Sequence, residues 1–218
     1  KSSSKRLISP DRSDPFTTAF KMLRTQVLQR MTANGWNALA VTSPGPGDGK
    51  TFVCANLAIS LAMELHHTVL LVDLDLRKPS VHEVFEFSSN LGVTDCLSGD
   101  AELKDVLVNP GIDRLVVLPG RKNAANSSEL LSSHRTGRMI EELKTRYTSR
   151  LVICDLPPIL AADDTIAFSP FVDAVILVAQ GGKTTRAEVE RTMELLKDTP
   201  IIGTVLNRSS ERGDHYNY

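Results

Sequence analysis

The 218-residue chain has little of several things, and each scarcity removes a class of function. Cysteine is scarce. Cys54, Cys96 and Cys154 are an odd count without a C-x-x-C spacing, so a disulfide framework or a zinc site is not expected. Cys54 and Cys154 lie in apolar segments and read as small buried hydrophobes of a reducing compartment. Aromatic residues make up 5% and form no stripe interleaved with basic ones. Charge of one sign is also missing: 25 Lys+Arg stand against 26 Asp+Glu, a net charge of −1. A protein that coats nucleic acid by bulk charge is far more basic, and no nucleic-acid partner is expected. No apolar run approaches the roughly 18 residues of a membrane span. The best, around Val69–Val72 and Ala174–Ala179, are strand-sized. The start, Lys1-Ser-Ser-Ser-Lys5-Arg6, lacks the apolar stretch of a secretory signal, and the missing initiator Met suggests part of a longer chain.

What is present is a globular composition, 41% hydrophobic with 13 glycines, at a length that favours one domain. Residues 1–13 are Ser-rich and charged and read as a flexible linker. Asp14-Pro15 reads as a helix start, and Phe16, Phe20, Leu23, Val27 and Met31 give one apolar face ending near Asn34-Gly35. Strands are expected at Ala38–Thr42, Thr68–Leu74, Leu115–Leu118, Leu151–Cys154, Ala174–Ala179 and Ile201–Leu206. Helices are expected at Lys50–Leu65, Val81–Phe87, Leu103–Val108, Thr136–Tyr147 and Arg186–Lys197. Strands apolar throughout and separated by helices imply a parallel sheet covered on both faces. The tail, 208–218, is polar. His66-His67 read as a turn, Tyr147 as packing, and Lys183 and Arg186 as a solvated helix start.

Ser43-Pro-Gly-Pro-Gly-Asp-Gly-Lys50-Thr51 follows an apolar strand and opens a helix, the context a phosphate-binding loop requires. Glycines let backbone N–H groups curl around an anion, and the helix aims its positive end at the same point. Lys50 is suited to neutralise the β- and γ-phosphates and Thr51 to hold Mg²⁺. The general pattern G-x-x-x-x-G-K-[ST] has glycine where this chain has Pro44. The fold class is therefore α/β, a P-loop NTPase-like, mostly parallel sheet with helices on both faces. Two further stretches carry carboxylates at the carboxyl ends of apolar strands: Asp73 and Asp75 in one, Asp155 in Asp155-Leu-Pro-Pro158. Ligands of open α/β sheets sit at those ends, so the three acids are expected to converge beside the loop. Mg²⁺ and its waters would partner them, and in-line phosphoryl transfer is the expected chemistry.

With these segments the chain resembles the bacterial tyrosine kinases of capsule and exopolysaccharide assembly. Pro46-Gly47-Asp48-Gly49-Lys50-Thr51 is similar to the family's PGEGK[ST], and Asp73-Leu-Asp75-Leu-Arg77 to its D-x-D-x-R. Asp155-Leu-Pro-Pro158 matches the third motif. Leu91–Gly99, Asn126–Leu131 and Gly203–Asn207 also look like the family, and Thr51–Ala58 looks like its proteobacterial members. The resemblance covers roughly residues 15–210. It implies an ATP-dependent kinase that phosphorylates tyrosines of its own C-terminal tail in trans, within a ring of subunits. It further implies a cytoplasmic domain of an inner-membrane polysaccharide co-polymerase, served by a cognate tyrosine phosphatase. Carried over by position, Lys50 and Thr51 bind phosphates and Mg²⁺, and Asp73 is the base on the tyrosine hydroxyl. Asp75 and Asp155 hold the metal or its waters, and Asn207 contacts adenine. Gly45, Gly47, Asp48, Gly49 and Phe52 complete the nucleotide-binding loop. Tyr216 and Tyr218 are the phosphoacceptors. The family's ring-forming E-x-x-R-x-x-R falls on Thr18, Lys21 and Arg24, so Lys21 and Arg24 carry the oligomerisation role.

A competing reading is an ATPase switch of the partitioning and division-site type, with water as acceptor. Those proteins carry an extra lysine five residues before the GK lysine, where this chain has Gly45. A non-catalytic regulatory subunit is a third reading, opposed by the intact Lys50, Thr51, Asp73, Asp75 and Asp155.

Overall fold

Six strands hydrogen-bond into one parallel sheet in the computed structural model of the chain, which describes residues 7–9, 14–121 and 126–209. In chain order the strands are β1 (Ala38–Thr42), β2 (Thr68–Asp73), β3 (Leu115–Leu118), β4 (Arg150–Asp155), β5 (Ala174–Gln180) and β6 (Ile201–Asn207). Their spatial order is β3-β2-β4-β1-β5-β6. The chain leaves β1 between β4 and β5, where connections to the two sides of the sheet diverge. That is the place at which an open α/β sheet leaves a crevice for a ligand.

Successive side chains of a strand point to opposite faces, and in β1, β2, β4 and β5 both faces are buried, while the edge strand β6 is largely half-exposed. Leu39, Val41, Leu71, Ile153 and Ile176 pack on one side with helices α1 (Pro15–Asn34) and α2 (Lys50–Ala62). Ala38, Ala40, Leu70, Val72, Val152 and Cys154 pack on the other. Met139, Ile140 and Leu143 of α7 (His134–Thr145) and Phe168 of α8 (Asp164–Phe168) cover that second face. Double coverage is why the strands read as unbroken apolar runs.

Helix α1 has the expected ends. The Asp14 carboxylate accepts the N–H groups of Phe16 and Thr17, and Gly35 closes the helix at φ 67°. It packs on α2 through a Phe16–Phe20–Phe52 cluster with ring centroids 5.1 to 6.4 Å apart. Helix α2 stops at Ala62 rather than Leu65, because residues 63–67 form a turn into β2. The short helices α3 (Val81–Val84) and α5 (Leu103–Val106) also end before the expected Phe87 and Val108. Val108 instead pairs with Val117 in an isolated antiparallel bridge. Helix α7 lies two residues earlier than expected, and α9 (Arg186–Leu195) ends two residues early. Helices α4 (Val93–Ser98), α6 (Ser127–Leu131) and α8 were not expected, and a 3-10 turn, Ser169–Phe171, follows α8. Among the described residues no helix is long and apolar enough to cross a membrane.

Candidate active site

Strand register alone brings two of the carboxylates together. Asp73 ends β2 and Asp155 ends β4, and they are direct partners in the parallel ladder. Asp155 is also in register with Val41, one residue before the end of β1. The loop that follows β1, residues 43–49, therefore starts beside both acids. It ends at Gly49, whose φ of +94° turns the chain into α2. A Cβ there would displace the Asn207 amide, and the left-handed backbone conformation strains any residue but glycine.

Lys50, the first residue of α2, turns its ammonium into the acidic cluster. Its Nζ lies 2.8 Å from Asp75 Oδ2 and 3.6 Å from Asp155 Oδ1, and donates to Thr51 Oγ1 at 3.1 Å. Burial works against the Lys50 charge, but Asp155 and Asp75 outweigh it and hold the ammonium above its ordinary range. The Thr51 hydroxyl donates to Asp155 Oδ2 at 2.6 Å and accepts from the Ser80 hydroxyl at 3.3 Å. Burial raises Asp155, opposed by Lys50 and the Thr51 bond. Asp73 is fully enclosed. Its Oδ2 accepts the N–H groups of Ser80 and Val81 at 3.0 Å, while Oδ1 has no hydrogen-bond partner among the described residues. Burial and then the Asp155 charge push Asp73 up to about 8.

The supporting contacts come from distant chain. Thr42 and Thr165 both donate to Pro157 O, at 2.7 and 2.8 Å, and fix the turn after β4. Arg77 does not pair with Asp73 or Asp75. Its Nε donates to the fully buried Asp164 at 2.9 Å, which ties the β2 end to α8.

The expected nucleotide loop residues divide into several roles. Gly45 directs its N–H to Asp48 Oδ2 at 3.2 Å, and so supports the loop from within. Phe52 spends its ring on Phe16 and Phe20, and only its backbone N–H is left for the helix start. Asn207 donates to Asp48 O at 2.9 Å, which places it on the outer side of the loop. Lys183, read from sequence as solvated, donates to Pro46 O at 2.6 Å and pairs with Asp48 at 3.0 Å. Arg186 is as expected, paired with Glu190 on the helix surface. Among the oligomerisation candidates, Arg24 is engaged within its own chain, with Glu64 at 3.0 Å and Ser60 O at 3.3 Å. Lys21 is half-buried on α1. Tyr216 and Tyr218 lie outside the described residues.

Hard oxygen donors and two carboxylates beside a lysine suit Mg²⁺ bound together with phosphate oxygens rather than in an all-protein cage. Among the described residues no group of three or more His, Cys, Asp or Glu is placed to hold a metal ion. The cation that the carboxylates do contact is the Lys50 ammonium.

The family model described as "CobQ/CobB/MinD/ParA nucleotide binding domain" matches residues 39–217. The tyrosine-protein kinase CpsD of Streptococcus agalactiae is 32% identical over 206 residues, 91% of this chain and 88% of that protein. The chain belongs to the bacterial tyrosine kinases of this nucleotide-binding family. The tyrosine-protein kinase wzc of Salmonella typhimurium is 34% identical over 200 residues, 91% of this chain but 27% of that protein. The chain thus spans about a quarter of the longer relatives. The solved kinase domain of the Escherichia coli tyrosine kinase ETK superposes with a TM-score of 0.83 at 33% identity, covering 93% of this chain and 79% of that one. The kinase-family likeness thus covers nearly the whole chain rather than the loop alone.

Proposed function

We propose that this kinase-family domain transfers the γ-phosphoryl group of Mg-ATP to tyrosines of its own C-terminal tail, presented by a neighbouring copy. The observation that carries the reading is the convergence of Lys50, Thr51, Asp73, Asp75 and Asp155 at the end of β1. The loop and the start of α2 receive the phosphates, and Lys50 moves from Asp75 towards the β- and γ-phosphate oxygens. Thr51, Asp75 and Asp155 would hold Mg²⁺ or its waters, and the ion would supply charge neutralisation to the transferring phosphate. The tyrosine oxygen attacks the γ-phosphorus in line, the bond to the β–γ bridging oxygen breaks, and ADP leaves. Asp73 Oδ1 takes the phenolic proton. Oδ2 is held by the N–H groups of Ser80 and Val81, and Oδ1, without a hydrogen-bond partner among the described residues, is the oxygen left to receive that proton.

The acceptors are Tyr216 and Tyr218, and the subunit contact involves α1 through Lys21, with Arg24 contributing once released from Glu64. The domain serves as the cytoplasmic part of a membrane-bound polysaccharide co-polymerase, and a cognate phosphatase resets its tail. The test uses two chains: Lys50→Met as substrate and a tail-shortened wild-type chain as enzyme. Phosphotyrosine on the Lys50→Met chain, lost when the enzyme also carries Asp73→Asn, supports the reading. Steady release of free phosphate without phosphotyrosine would support the ATPase switch instead.

A further inference from the structure

Beyond the residues assigned above, we infer that Lys183 is a positioning residue for the phosphate-binding loop, with Asp48 as its counter-charge. The inference rests on the nucleotide-binding reading and adds to it a group from the opposite side of the sheet. After β5 the chain is anchored by Gly181 N–H to Asn207 O at 2.8 Å and turns at Gly182, φ 71°. That turn lays Lys183 and Thr184 over the outer face of residues 45–48.

Three consecutive carbonyls of the loop are then held from outside. Lys183 Nζ donates to Pro46 O at 2.6 Å, Arg208 Nη1 to Gly47 O at 3.1 Å, and Asn207 Nδ2 to Asp48 O at 2.9 Å. In a planar trans peptide the C=O of one residue and the N–H of the next point in opposite directions. Holding these carbonyls outward therefore aims the N–H groups of Gly47, Asp48 and Gly49 inward, where an anion would sit.

Charge gives Lys183 a second role. Asp48 is 2% exposed and lies inside a loop whose task is to attract phosphate. An uncompensated carboxylate there would repel the ligand and stay poorly solvated. Lys183 Nζ sits 3.0 Å from Asp48 Oδ1 and cancels that charge. Thr184 Oγ1 accepts Gln180 N–H at 2.7 Å and donates to Asp48 Oδ2 at 3.2 Å, so the carboxylate is fixed on both oxygens. The Lys183 side chain is 48% exposed, so it supports no core and its effect falls on the loop.

The experiment measures the Kd of Mg-ADP by fluorescence of a labelled analogue, and of pyrophosphate by competition, with no turnover required. Lys183→Met is expected to raise both Kd values by a similar factor, about tenfold, which corresponds to roughly 1.4 kcal/mol. The unliganded melting temperature should fall in Lys183→Met, which strands the buried Asp48 carboxylate, and recover in Lys183→Met/Asp48→Asn, and Lys183→Arg should restore most of the affinity. The decisive variant is the double mutant Lys183→Met/Asp48→Asn. Removing the stranded charge should recover at least about threefold of the lost affinity, a non-additivity expected of directly coupled groups. Wild-type Kd values in Lys183→Met would overturn the inference, as would a double mutant weaker than Lys183→Met. Failure of the wild-type chain to bind Mg-ADP would instead overturn the nucleotide-binding reading itself.

Discussion

Replacing Lys50 with methionine should destabilise the ligand-free protein in a way that depends on pH. The substitution removes the ammonium 2.8 Å from Asp75 and 3.6 Å from Asp155. Those carboxylates are 5% and 0% exposed and would face each other without a cation. Stripping one partner from a buried ion pair typically costs about 3–5 kcal/mol. Proton uptake sets a ceiling on the loss. To neutralise one carboxylate of ordinary pKa at pH 7 takes about 3 pH units, or roughly 4 kcal/mol, and at pH 5 only about 1.5 kcal/mol. The sign follows from linkage: the folded mutant holds a proton that its unfolded chain releases, so its deficit grows as pH rises from 5 to 7. Urea unfolding at the two pH values, followed by circular dichroism, reads the difference. Millimolar Mg²⁺ should stabilise the mutant more than the wild type, because the acids have lost their resident cation. A mutant as stable as the wild type at pH 7, or a deficit equal at both pH values, would refute the reasoning.

Three other outcomes follow from single contacts. Gly49→Ala must hold φ +94° and displace the Asn207 amide, and should weaken Mg-ADP binding at least tenfold (about 1.4 kcal/mol) in the same fluorescence assay while the far-ultraviolet spectrum stays folded. Asp173 accepts the N–H groups of Asn37 and Ala38 at 2.9 and 2.8 Å and pairs with Lys144 at 2.7 Å. Burial pushes that carboxyl up, but the Lys144 and backbone bonds outweigh it and leave it below its ordinary range. Its stabilisation is thus present above the unfolded carboxylate pKa and lost as pH falls through the lower folded value. Asp173→Asn should cost about 1–2 kcal/mol in urea unfolding at pH 7 and progressively less in acid. Cys54 and Cys154 are fully buried, and burial raises both thiols, so a chromogenic disulfide reagent should label them only after unfolding.

Strands β1, β2, β4 and β5 were the most legible part of the sequence because each is a short apolar run buried on both faces, whereas the edge strand β6 is largely half-exposed. Helix α1 was legible from its 3-to-4 spacing and from caps at Asp14 and Gly35. Helices α4, α6 and α8 span only five or six residues, too few for a period to show. The acidic convergence was readable because carboxylates at strand ends share one edge of a parallel sheet, and register did the rest. The loop's outer support was not readable. Lys183 reaches Asp48 across 135 residues, and a lysine before a helix start looks like any solvated one. Arg77 shows the same limit: its neighbours in sequence are Asp73 and Asp75, yet its partner is Asp164, brought close by the turn after β4.

The most direct measurement is the fate of the γ-phosphate when the chain turns over labelled Mg-ATP, with peptide mapping of the protein and assay of free phosphate in one sample. Label on tyrosine, concentrated at Tyr216 and Tyr218 and absent in Asp73→Asn, is the predicted result. Label appearing only as free phosphate, or undiminished tyrosine labelling in Asp73→Asn, would contradict the account.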